Sequence, residues 1–178
     1  RLGVSTRPEN IEIAPWNRTY KFIQRRAGTA LFSMTYTPER QKLMKFVGPS
    51  IPTNISVMAP RSSRITANNV ADLSALKIGV VRDDIGDQLV RGLALSDGSI
   101  VRKNSLRQLL YLLEAGRVDA VAYASDVFYH SVTNAGHSTA EHEEVFVLKE
   151  GYLGYAFHYS TPPDVLEPLQ ATIDAMRE

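Results

Sequence analysis

The chain has 178 residues, 44% of them apolar and 22% charged, a composition that excludes a disordered or fibrous protein and leaves one globular unit or two small lobes. It contains no cysteine, which removes disulfides, thiol catalysis and thiolate zinc sites and fits either a cytoplasmic or an oxidising compartment. No apolar run reaches the roughly 18 residues that a membrane span needs, and no signal peptide is present. The first residue is Arg1 rather than Met, which points to an N-terminal part that was cleaved or is not included in this chain. Net charge is only +1, yet residues 1–60 carry nine Lys/Arg against three Asp/Glu and the remainder carries eleven against sixteen. The basic part has no run longer than Arg25-Arg26 and no nucleic-acid module, so no nucleic-acid partner is expected.

In chain order, Pro15 at a first helical position and Trp16, Tyr20, Ile23 and Ala27 at spacings of three and four predict an amphipathic helix ending at Gly28. A strand follows over residues 29–35, where Ala30, Phe32 and Met34 alternate with Leu31, Ser33 and Thr35. Thr37-Pro38-Glu39-Arg40 opens a second helix, with Thr37 as cap and Pro38 at the first position, expected to run to about Val47. Gly48-Pro49 and Pro52 break it, and residues 55–59 form an extended apolar segment leading into a polar stretch at residues 61–69.

Beyond that boundary the pattern becomes β-α-β. A strand at 77–82, a helix at about 86–95 and a strand at 99–102 precede a helix capped by Ser105, with Leu106, Leu109, Leu110 and Leu113 on one face and Gly116 at its end. Residues 119–124 form a strand, Ser125 caps the next helix, and residues 137–144 form a polar loop. Strands at 145–148 and 152–158 lead to Thr161-Pro162-Pro163 and a final helix with Leu166, Leu169, Ile173 and Met176 on one face. Alternating strands and helices predict an α/β protein with a mostly parallel sheet, in which ligands sit beyond the carboxyl ends of the strands.

Arg40 is the most informative residue for function. A cation in the first turn of a helix opposes the helix dipole, so either it pairs with Glu39 or solvent, or it binds a carboxylate lying against the helix N-terminus. In the second case the hydroxyls of Ser33 and Thr35 would donate as well. His137 and His142, with Glu141, Glu143 and Glu144, match no standard zinc spacing and read as a solvated loop, so no metal is expected. No nucleophile elbow, phosphate loop or dinucleotide fingerprint is present. No catalytic residue and no cofactor is assigned.

The run Pro15-Trp16-Asn17-Arg18, then Ser33-Met34-Thr35-Tyr36-Thr37-Pro38-Glu39-Arg40 and Phe46-Val47-Gly48-Pro49, resembles the first lobe of type II periplasmic solute-binding proteins of the amino-acid-binding class. Asp72-Leu73, Ile78 to Arg82, Leu113 to Val121 and Tyr155-Ala156-Phe157 through Thr161-Pro162 follow the second lobe in order and spacing. The resemblance implies two α/β lobes joined by a two-strand hinge, divided as residues 1–57, 58–154 and a return segment at 155–178. It implies a periplasmic protein that closes its lobes over a small carboxylate-bearing solute such as an amino acid and hands it to the membrane permease of an ABC transporter.

By the same resemblance Arg40 grips the solute carboxylate, with Thr35 and Ser33 assisting from the preceding strand. The second-lobe turn formed by Arg82, Asp84, Ile85 and Gly86 closes on the solute, Gly86 allowing close backbone approach. Trp16 either presents an aromatic face to the solute or lies in the core, and Tyr123 is a further candidate at a strand end.

Two departures qualify the resemblance. Ala124 stands where family members place an acidic partner for the ligand ammonium. Asp83, Asp84, Asp87 or Asp126 are the candidate substitutes, or else ordinary helix-start acids. The family also opens with a strand and a helix before the position matching Arg1, so the first lobe is expected to be incomplete. Exposed strand edges then predict association with a second copy, as a homodimer through the first lobe, or completion by a missing segment. The same fold also implies two alternatives, an extracytoplasmic sensing domain of a signalling receptor and a dehydratase-like enzyme.

Overall fold

The structure is a computed structural model that describes residues 7–93 and 95–177. Arg1, which the sequence reading takes as a sign of a missing N-terminal part, lies outside the described residues, as does Ala94 within the helix expected at 86–95. The chain divides into two compact units, one formed by residues 1–52 and 152–178 and the other by residues 53–151. The sequence reading places the divisions at 57/58 and 154/155.

The first unit contains α1 (Trp16–Arg25), β1 (Ala30–Thr35), α2 (Pro38–Gln41), the start of β2 (Met44–Pro60), the end of β6 (His142–His158) and α6 (Pro163–Ala175). Its strands hydrogen-bond in the order β1-β6-β2. β1 runs antiparallel to β6, from Ala30 opposite Phe157 to Thr35 opposite Leu153. Ile23, Met34, Met44 and Ala156 form the core of this unit, with Trp16, Tyr20, Leu31 and Phe46 packed against them.

Several sequence expectations change here. Pro15 is the N-cap of α1 rather than its first helical residue. β1 does not alternate cleanly, because its pairing shifts between Leu31 and Met34 and Ser33 adopts φ +56°, an extra residue that turns the strand at a bulge. The helix expected to reach Val47 stops at Gln41. Met44 and Val47 are both buried in β2, and strand pairing that buries these two side chains wins over continuation of a one-turn helix. Gly48, Pro49 and Pro52, breakers by sequence, lie inside this strand.

The second unit contains the rest of β2, β3 (Ile78–Val81), α3 (Ile85–Gly92), β4 (Ile100–Lys103), α4 (Leu106–Glu114), β5 (Ala120–Ala124), α5 (Ser125–Asn134) and the start of β6. Its strand order is β2-β5-β3-β4. β3 is parallel to both β4 and β5, whereas β5 is antiparallel to β2, so the sheet is mixed rather than mostly parallel. All four residues of β3 are buried, as expected for a strand covered on both faces. Leu106, Leu109, Leu110 and Leu113 are the buried face of α4, as the spacing predicts. Gly79 lets α4 approach, since a Cβ there would lie 2.9 Å from Leu109.

Ser125 is the first residue of α5 rather than its cap, and its hydroxyl donates to the Asn54 carbonyl and to Glu144. The two strands expected at 145–148 and 152–158 are one strand, β6, which begins at His142 inside the expected loop. α6 buries no residue fully, and Met176, placed on its apolar face, is 81% exposed. β2 and β6 each run from one unit into the other.

Candidate functional site

In the first unit, Thr37 caps α2 by accepting the Arg40 N–H at 3.2 Å, and Gln41 donates its N–H to the Thr37 carbonyl. Two of the amides at this helix start are therefore engaged within the turn. The Arg40 side chain is 1% exposed. One terminal nitrogen donates to the Thr35 carbonyl at 3.1 Å, which ties the guanidinium back to the end of β1. The guanidinium carbon lies 5.3 Å from the ring centre of Trp16 and 5.4 Å from that of Tyr20. The two rings stack on one another at 5.6 Å and 18°, so cation and rings form a nearly equilateral triangle. Cation–π contacts of this kind contribute about 0.5–2 kcal/mol each, rising with desolvation.

The sequence candidates of this unit therefore divide. Trp16, Thr35 and Arg40 come together, with Thr35 acting through its carbonyl while its buried side chain lies at the strand end. Ser33 sits exposed at the bulge of β1, because the register shift there breaks the alternation that would put it on one face with Thr35. Tyr20 enters the sequence reading only as part of an apolar helical face, yet it completes the triangle. The signal for it is the spacing of four between Trp16 and Tyr20, which stacks neighbouring turns of a helix.

In the second unit, Asp84 caps α3 by accepting the Ile85 N–H at 2.7 Å. Asp83 adopts φ +63° and donates its N–H to Asp87. Asp87 is 2% exposed and receives the Arg102 guanidinium at 2.8 Å and that of Arg91 at 3.3 Å. Its role is to tie the α3 start to β4. Ile85 is buried in a small core cluster with Ile55 and Ala124, and Arg82 is exposed. A Cβ on Gly86 would lie 2.3 Å from the Ala122 carbonyl oxygen. The close approach that this glycine permits is thus the packing of α3 on β5.

Tyr123, on β5, packs against that same cluster. Burial, and secondarily the negative charge of Asp84, push its hydroxyl well above the usual tyrosine range. Beside Ala124, Asp126 accepts the Thr53 hydroxyl at 3.3 Å. In the second unit the carboxylates of Asp84 and Asp126 are thus engaged by the Ile85 N–H and the Thr53 hydroxyl. In the remaining candidate loop, His137 pairs with Glu114 at 2.9 Å. Among the described residues no helix is long and apolar enough to cross a membrane.

No family model matches the chain, and no curated protein does so either. Solved structures do match. The chain is similar to holo ArgBP from T. maritima at 23% identity and TM-score 0.68, covering 82% of this chain and 62% of that one. The chain thus spans about 62% of the length of that protein. It is similar to the amino acid ABC transporter substrate-binding protein AbpA from Streptococcus pneumoniae, bound to L-arginine, at 19% identity and TM-score 0.78 over 93% of this chain and 69% of that one. A histidine kinase sensor domain with similarity to periplasmic binding proteins matches at 19% identity and TM-score 0.75, over 92% and 70%. The chain has the α/β fold of the type II periplasmic solute-binding proteins.

Proposed function

We propose that this chain is a solute-binding module that takes a small carboxylate-bearing solute, an amino acid above all, on Arg40. The observation that carries the reading is an arginine 1% exposed, its guanidinium held to the end of β1 by the Thr35 carbonyl and flanked by two aromatic rings. A permanently charged, planar donor held by backbone and rings is preorganised for a carboxylate. The fold supports the reading, since proteins that share it are described as bound to arginine.

Asp84 and Asp126 are the groups we assign to the solute ammonium, in place of the acid missing at Ala124. Arg82, Ile85, Gly86 and Tyr123 belong to the same reading through the shape of the α3 start and the end of β5. We place the protein outside the cytoplasm as the binding component of an ABC transporter. Its direct partners are then the solute and a membrane permease, and lobe closure reports occupancy. The chemistry is binding without turnover.

The test is a calorimetric titration of the purified chain with amino acids, dicarboxylates and cyclic acids, repeated with Arg40→Ala. Saturable binding that Arg40→Ala abolishes is the expected result. Binding unaffected by that substitution contradicts the anchor, and a bound acid recovered chemically altered contradicts binding without turnover. The similarity to a histidine kinase sensor domain favours a second reading, in which the same binding event signals instead of delivering cargo. A transmembrane segment following Glu178 in the gene would select it.

A further inference from the structure

An arginine that is to receive a carboxylate has to be reachable, and Arg40 is closed in. At 1% exposure its guanidinium offers no surface to a solute in this conformation. Two of the groups that close it are the rings of Trp16 and Tyr20, centred 5.3 and 5.4 Å from the guanidinium carbon. These rings are themselves only half-buried.

They stand on the first two turns of α1, a helix whose N-cap, Pro15, makes no side-chain capping bond and whose one fully buried residue is Ile23. Ile23 anchors the C-terminal half of the helix in the core, while the ring pair on its N-terminal half packs against that core only half-buried. Local stability follows buried contact and satisfied ends, so the start of α1 is the part of this site that yields at least cost. A cation held against ring faces loses little when an anion takes the place of the rings, because one electrostatic partner replaces another.

We propose that Trp16 and Tyr20 form an aromatic gate over Arg40, closed in the ligand-free protein and displaced when a carboxylate binds. The proposal rests on the reading of Arg40 as the anion anchor and adds the regulation of that site. Its consequence is thermodynamic. If only the gate-open fraction binds, the apparent dissociation constant is the intrinsic one divided by that fraction, so weakening the gate tightens binding. A pair that merely supported the guanidinium would give the opposite sign.

The experiment titrates the full chain with L-arginine, L-glutamine, succinate and acetate, in wild type, Tyr20→Leu and Arg40→Met. Tyr20→Leu keeps an apolar side chain against the core and removes the ring. Trp16, the single tryptophan of the chain, reports the gate in the unmodified protein through its emission and its quenching by acrylamide. The gate predicts that Tyr20→Leu binds about three- to tenfold more tightly and associates faster, and that saturation of the wild type makes Trp16 more accessible to quencher. Equal or weaker binding by Tyr20→Leu, or Trp16 accessibility that does not rise on saturation, overturns the gate. If Arg40→Met then still abolishes binding, the anchor stands without it. Absence of binding in both wild type and Tyr20→Leu overturns the anchor, and the gate with it.

Discussion

Arg40 illustrates how a single side chain is assigned by what surrounds it. Its charge is retained in a buried position by a carbonyl at 3.1 Å and two ring faces, because an unassisted buried cation would be costly. Removing a buried charge-assisted contact to a ligand costs at least about 2 kcal/mol, so Arg40→Ala should weaken carboxylate binding by about thirtyfold or more, read by calorimetry.

Tyr123 makes a separate prediction at this scale. Its hydroxyl titrates higher in the folded protein than in the unfolded chain, chiefly through burial and then through Asp84. The stability it contributes is therefore complete below the unfolded tyrosine value of about 10 and is lost as pH rises above it. Tyr123→Phe should flatten the fall in unfolding free energy between about pH 10 and 12, measured by denaturant titration. An unchanged alkaline slope would contradict the burial of this group.

Trp16, Thr35 and Arg40, which the family resemblance puts forward together, lie beside one another in the structure. Two things are not legible. Thr35 serves through its backbone, and no side-chain pattern encodes the use of a carbonyl. Ser33 leaves the face it shares with Thr35 in an ideal strand, because the bulge in β1 is set by pairing with β6 rather than by the local sequence.

At the scale of elements, local signals suffice where they are self-contained. The leucine face of α4, its Ser105 cap and the Gly116 stop, at φ +62°, all follow from periodicity and end chemistry. They fail where a partner strand decides. β2 absorbs Gly48, Pro49 and Pro52, and β6 runs unbroken from His142 to His158, because ladder hydrogen bonds to neighbours distant in sequence override weak local breakers.

Gly86 belongs to this scale as well. Because a Cβ at this position would stand 2.3 Å from the Ala122 carbonyl oxygen, Gly86→Ala must push α3 away from β5. Overpacking of this kind costs about 1–3 kcal/mol, so the thermal midpoint should drop by about 3–10 °C in a melting experiment. A midpoint within about 1 °C of wild type would show that α3 does not approach β5 this closely. Leu109→Ala, at a fully buried position of α4, should cost about 2–5 kcal/mol through lost burial and a cavity.

For the molecule as a whole, two units share one chain through β2 and β6, and each carries a distinct chemical offering. The first holds a buried guanidinium beside aromatic rings, the second holds carboxylates at Asp84 and Asp126. A ligand that binds only the folded protein raises its stability by about 2.7 kcal/mol at a hundred times its dissociation constant. The measurement that tests the central claim most directly is a calorimetric titration of the wild-type chain and of Arg40→Ala with L-arginine and L-glutamine. The claim predicts saturable one-site binding to the wild type and a loss of about thirtyfold or more in Arg40→Ala. Equal affinity for the two proteins, or no heat from the wild type at millimolar solute, would contradict it.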